Sequence, residues 1–172
     1  MANSQSILLM PKGMSLTSTS NKRLGTAWEH TLHKLAQLNG WVSIKIPDGC
    51  RTIGKGRLIK TKSPFDFCLA KKGKVIFLDA KTNDHDTFRY SEVNKYQVTY
   101  LIALERTAQC AAGYIVYHRN HDKIVFYAAA SLWNLRPESS LSFNDGIDLG
   151  SLSNLFLDRV VNLQSAAALV AK

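Results

Sequence analysis

The 172-residue chain is short of cysteine: Cys50, Cys68 and Cys110 are scattered and form no C-x-x-C pair. That excludes a disulfide framework and a cysteine-ligated zinc site, and it suits a reducing compartment. No apolar run approaches the roughly 18 residues of a membrane span. The opening MANSQSILLMPKG has no charged segment ahead of its short apolar patch, so a signal peptide is not expected; the expected location is the cytoplasm, with no membrane partner. Internal repeats and low-complexity blocks are absent too. Acidic residues are the scarcest charged class: 13 Asp and Glu against 22 Lys and Arg leave a net charge of +9. Such an imbalance points to a polyanionic partner, most often nucleic acid.

What is present is an ordinary globular composition, 45% apolar and 20% charged, in a length that suits one domain with a real core. Residues 1–20, rich in Ser, Thr and Asn, are expected to form a mobile arm, and residues 21–172 a single domain. Leu24, Trp28, Leu32 and Leu35 at helical spacing predict a helix over 21–38, stopped by Asn39-Gly40. A strand follows over 41–46 with Val42, Ile44 and Ile46 on one face, then a basic excursion over 47–63 in which RLIK is a further strand. Strands over 65–70 and 74–80 form a hairpin. A polar loop leads to a second helix over 91–109, with Ser91 as its cap. Two strands, 113–118 and 123–128, are joined by RNHD; a short helix over 130–135 and a last helix over 153–170 complete the order. One mixed sheet flanked by helices would bury all of it.

The positive charge is concentrated. Between Gly49 and Leu78 stand Arg51, Lys55, Arg57, Lys60, Lys62, Lys71, Lys72 and Lys74, with Asp66 the one acidic residue. Such a surface suits phosphates, so the carboxylate inside it needs a reason. With Lys72-Gly73 as a two-residue turn, Lys71 pairs with Lys74 and Asp66 falls opposite Asp79. Directly opposed side chains share a face, and Lys81, two residues on, returns to it. Phe65, Phe67, Leu69, Ile76, Leu78 and Ala80 are then expected on the other face, as core. Two like charges opposed in a sheet cost up to ~1 kcal/mol unless neutralised. Mg²⁺, bound by one or two protein carboxylates plus waters and phosphate oxygens, would neutralise them; a cross-strand salt bridge of Lys81 with one aspartate is the simpler alternative. In the second helix Gln97 interrupts the apolar stripe Val93, Leu101, Leu104 and Ala108, where a buried amide needs partners. Glu29 borders the Trp28/Leu32 face of the first helix. Tyr96 and Tyr100 read as core edge, and HRNHD (118–122) and NDHDT (83–87) as a polar turn and a solvated loop.

PFD, twelve residues, then DAK resembles the PD-(D/E)xK motif of restriction-endonuclease-like nucleases, with Pro64 two positions before the aspartate rather than one. Within that superfamily the order of features is similar to the RecU family of bacterial Holliday junction resolvases, from NKRLGTAWEHTL through SPFDF, VIFLDAKT and TFRYSEVNKYQVTYL to GYIVYHRNHDKIVFYAAASLW. The resemblance implies a restriction-endonuclease-like α/β core and a metal-dependent, structure-selective endonuclease that nicks four-way DNA junctions in symmetric pairs, leaving 5′-phosphate and 3′-hydroxyl ends. It implies Asp66 and Asp79 as metal-binding carboxylates with Glu29 completing the site, Lys81 as catalytic lysine, Gln97 near the attacking water, and Lys22 and Arg23 near DNA. The metal would be Mg²⁺ with Mn²⁺ substituting. The partners would be branched DNA, a second copy of the chain and other recombination proteins, in a bacterial or phage-infected cell. The family's projecting stalk corresponds to 47–63, which is short here but keeps its positive charge. A restriction or repair nuclease of the same superfamily, and a non-catalytic DNA-binding accessory protein, remain the alternatives.

Overall fold

The computed structural model describes residues 18–53, 57–108 and 110–161, and within these all side chains but those of 18–21 and 50–60. Lys55, nearly all of the expected N-terminal arm and the second half of the expected last helix lie outside the described residues, as do the side chains of Arg51, Arg57 and Lys60.

Helix α1 (Ser18–Leu38) buries the expected stripe of Leu24, Trp28, Leu32 and Leu35. It ends where Gly40, at φ +76°, takes the left-handed conformation that a side chain resists. Strand β1 (Val42–Lys45) follows, then a separate ribbon of β2 (Gly49–Ile53) and β3 (Arg57–Thr61), which is what the basic excursion becomes. Next come the hairpin of β4 (Phe67–Lys71) and β5 (Lys74–Asn83), the short β6 (Phe88–Arg89), and α2 (Lys95–Ala108). After α2 run β7 (Ala111–His118), β8 (Lys123–Ala128), α3 (Ala129–Asn134), β9 (Ser140–Leu141), β10 (Ile147–Ser151) and β11 (Asn154–Leu155).

Seven strands form one sheet in the order β1-β4-β5-β7-β8-β10-β11. Among the described residues only β5 and β7 pair in parallel, because α2 carries the chain back across one face between them. Helix α1 packs Trp28, Leu32, Leu35 and Ala36 on one side against Phe67, Leu69, Ile76, Leu78 and Ala80. Helices α2 and α3 cover the other side, with Val98, Leu101 and Leu132 against Tyr114, Val116, Val125 and Tyr127. Each fully buried Leu, Ile or Phe in these layers contributes about 1.5–3 kcal/mol. This is the expected mixed sheet flanked by helices. No described helix is long and apolar enough to cross a membrane.

Three local expectations are corrected. Ser91 does not cap α2: residues 90–92 form a 3₁₀ turn, and Asn94 Oδ1 accepts the Tyr96 N–H (3.1 Å) at the true helix start. A helix does not begin at 153; Gly150, at φ +95°, supports a tight β10–β11 hairpin, and helical structure starts at 158. Phe65 leaves the Phe67 face because the backbone bends at Asp66, and it packs edge-on against Phe77 on the α2 side (5.1 Å). Val42 and Ile44 are 61% and 53% exposed. They lie on the α2 side of an edge strand, while Ser43 and Lys45 reach His33 and Glu29 of α1.

Candidate active site

The site is built on the turn at Lys72-Gly73. Both residues have positive φ, +49° and +76°, as a type I′ turn requires. The resulting register pairs Lys71 with Lys74 and Phe67 with Leu78. One step further, the Asp66 N–H donates to Leu78 O (3.0 Å) and Asp66 O accepts from the Ile46 N–H (2.8 Å). Asp66 therefore sits in a bend stitched to both neighbouring strands. Buried Ser63 holds the approach to it: its N–H donates to Asp48 Oδ1 (3.0 Å) and its hydroxyl donates to Phe65 O.

The two carboxylates face each other as the register requires. Asp79 is wholly buried and Asp66 half-buried. Asp66 Oδ2 accepts the Ala80 N–H (2.8 Å). Asp79 Oδ1 accepts from Gln97 Nε2, and Oδ2 is ion-paired with Lys81 Nζ. Burial, and then the charge of Asp79, push the Asp66 carboxyl up to about 6. Burial raises Asp79 as well, opposed chiefly by Lys81. One ammonium, itself partly exposed, thus faces two crowded carboxylates. An all-oxygen donor pair short of positive charge fits a hard divalent cation that brings its own waters.

Of the other predicted residues, Gln97 joins the site, and Tyr114, on neighbouring β7, extends it: its hydroxyl lies 3.4 Å from Gln97 Oε1. Tyr114 escaped the sequence reading, because only the parallel pairing of β5 and β7 places it beside Asp79. Glu29 is engaged by Lys45 (2.7 Å). Among the described residues no three His, Cys, Asp or Glu side chains form a metal-binding group, so Glu29 does not join the aspartates directly. Lys22, Arg23, Lys62, Lys72 and Lys74 are exposed. Lys71 is committed elsewhere: its ammonium donates to Asn39 O and Asp158 Oδ2, both at 2.9 Å.

The two polar stretches set aside in the sequence interlock. Arg119 pairs with Asp84, Asn120 Nδ2 donates to Asp84 O (2.6 Å), and His121 Nε2 meets Asp86 Oδ1 (2.6 Å). Buried His118 meets His85 O through Nδ1 (3.0 Å) and Tyr127 through Nε2 (3.2 Å). Residues 119–121 make the expected polar turn, closed by Asp122 at φ +46°. Its side chains hold the loop that leaves β5, which is therefore not simply solvated.

A mixed sheet whose central hairpin opposes two aspartates, with a lysine two residues on and a helix glutamine against them, defines a PD-(D/E)xK-type nuclease core. The chain belongs to the recombination protein U family, RecU, whose model matches residues 12–148. Among solved structures, the chain is similar to Hjc of Archaeoglobus fulgidus, a Holliday junction resolvase from an archaeal hyperthermophile. The TM-score is 0.49 at 16% identity, covering 72% of this chain and 95% of that one. Comparison with curated proteins finds no significant match.

Proposed function

We propose that this chain is a divalent-metal-dependent Holliday junction resolvase that makes paired symmetric nicks in four-way DNA junctions. The observation that carries the reading is the opposed Asp66–Asp79 pair, undercompensated in charge and flanked by Lys81 and Gln97. Asp66 and Asp79 would hold Mg²⁺, with Mn²⁺ substituting. The bound cation would lower the pKa of a coordinated water and offset charge growing on the scissile phosphate. Lys81, partly exposed beside Asp79, presents an ammonium to the same developing charge. Gln97 keeps Asp79 from turning away. Glu29, released from Lys45, acts through water from beyond the two direct ligands. The ribbon of β2 and β3 leaves the sheet after β1 and returns five residues before Asp66; Arg51, Lys55, Arg57 and Lys60, the basic residues of this stretch of sequence, are proposed to contact DNA. Lys22, Arg23, Lys62, Lys72 and Lys74 extend the phosphate-binding surface.

Two cuts of like polarity need two sites, and one chain supplies one, so the active form is a two-fold homodimer. Its interface in this proposal is the uncovered apolar area on the α2 side. There Val42 and Ile44 stand beside half-buried Cys68 and Phe77. Tyr96 and Tyr100 meet edge to face at 5.0 Å on an exposed flank of α2. The exposed residues of that flank, Tyr96, Tyr100, Ala103 and Thr107, are uncharged. In a chain of net charge +9, a neutral apolar face is where two copies approach with least repulsion. Ile44→Lys with Tyr100→Asp is expected to give a monomer in sedimentation; a wild type already monomeric at tens of micromolar refutes this interface.

The function is tested with a labelled four-way junction and a linear duplex of the same sequence, with and without Mg²⁺. Wild type is expected to nick opposite arms symmetrically. Asp79→Asn is expected to bind the junction and leave it intact. Absence of any metal-dependent cleavage by wild type overturns the reading, and equal cleavage of junction and duplex replaces it with a general nuclease.

A further inference from the structure

The strand beside the catalytic one contributes a side chain to the site. Tyr114 is the parallel neighbour of Asp79 and is fully buried. Its hydroxyl accepts the Asn94 N–H (3.1 Å) and has one proton to give, with Asn94 O at 3.3 Å and Gln97 Oε1 at 3.4 Å. Asn94 starts α2, so the same hydroxyl ties the first turn of that helix, which carries Gln97, to the sheet. The Gln97 amide could stand either way round. With its oxygen toward Asp79 two acceptors would meet; with its oxygen toward a hydroxyl proton, Nε2 is left to donate to Asp79 Oδ1. The Tyr114 ring also lies under the Lys81 ammonium, 5.2 Å from its centroid, an attraction suited to a cation held over an aromatic face. The other buried tyrosines on these strands use their hydroxyls elsewhere, Tyr117 on Asp122 and Tyr127 on His118 and Ser142.

We propose that Tyr114 is a positioning residue: its hydroxyl sets the orientation of the Gln97 amide and its ring steadies Lys81, so that one side chain aims both groups at Asp79. The inference rests on the metal-dependent cleavage read above, and its consequences divide by atom. Tyr114→Phe keeps the ring and removes the proton; Tyr114→Leu removes both.

The test is a double-mutant cycle of Tyr114→Phe and Gln97→Ala, read by single-turnover cleavage of a saturated junction in Mg²⁺. Junction affinity in Ca²⁺ and thermal melting are measured alongside. Tyr114→Phe is expected to lower the cleavage rate by roughly 3- to 10-fold, the worth of one hydrogen bond, with junction affinity unchanged within about two-fold. On the Gln97→Ala background it is expected to lower the rate no further. Equal losses on both backgrounds, or no loss on either, overturn the proposal. A second probe does not depend on that variant folding or on cleavage. With fluorotyrosine in place of tyrosine, the Tyr114 fluorine resonance of the metal-free protein is expected to shift when Gln97 becomes Ala, while those of Tyr117 and Tyr127 hold. An unmoved Tyr114 resonance overturns the proposal even in a protein that cuts junctions. A wild type that cuts nothing would defeat the functional reading while leaving this measurement to decide the contact.

Discussion

Replacing Asp66 with Asn is expected to stabilise the metal-free protein while destroying its activity. Burial and the facing Asp79 lift the Asp66 carboxyl from its ordinary 3.8 to about 6. At ~1.4 kcal/mol per tenfold change in ionisation, holding Asp66 ionised at neutral pH costs the fold roughly 3 kcal/mol. Asn retains an oxygen for the Ala80 N–H and can offer an amide proton to Asp79, but it must itself be partly buried, so the net gain is about 1–3 kcal/mol. For a chain of this size that is a rise in melting temperature of roughly 3–10 °C. The sign fixes the pH window. A carboxyl whose folded pKa is raised favours folding when protonated, so its contribution is present below about pH 4 and is lost as pH rises through about 6. Melting curves in chelator are therefore expected to coincide near pH 4 and to separate by pH 7.5, with the variant higher. In millimolar Mg²⁺ the order is expected to shift back toward wild type, which alone can bind the ion well. A variant that melts at or below wild type at pH 7.5 in chelator, or a gap that ignores pH, would refute the claim that the carboxylates are held together against their own repulsion.

Other consequences are more local. Glu29→Gln is expected to slow cleavage by only about 10-fold, against about 1,000-fold or more for Asp79→Asn, because it acts from behind the direct ligands; equal losses in single-turnover assays would make it a ligand. Lys62→Ala is expected to reduce the slope of log affinity against log salt by about one, without changing junction selectivity, measured by titration between low and moderate salt. Arg119→Met removes the buried partner of Asp84 and is expected to cost about 1–3 kcal/mol in denaturant unfolding. A loss below about 0.5 kcal/mol would mean the clasp between the two loops is decorative.

The heart of the site was legible because a strand pair has only two parameters, turn length and parity. A Lys-Gly turn sets the register, and the register opposes Asp66 to Asp79. Gln97 was legible as a polar residue on a stripe that packing would bury. Contacts through the crossover were not. Tyr114 reaches Gln97 only because β7 lies parallel to β5, and nothing within either segment states that pairing. Glu29 lies on α1, but Lys45 of the edge strand pairs with it, a contact between residues with no shared periodicity. Phe65 misled for the opposite reason: strict alternation put it with Phe67, yet the bend that aims Asp66 also turns the preceding residue to the other face. The bend at Asp66 was thus the place where the simple pattern failed.

The Lys72-Gly73 turn closes the hairpin away from Asp66 and Asp79. It nevertheless acts as the spacer that decides whether Asp66 and Asp79 meet. One inserted residue would either be absorbed as a looser loop or slip every side chain of one strand to the opposite face, trading carboxylate for core. Sequence drift in this chain is therefore expected to be freer in the identity of Lys72 than in the length of the turn, and the meeting of two carboxylates is written as a count of residues at a place where neither stands.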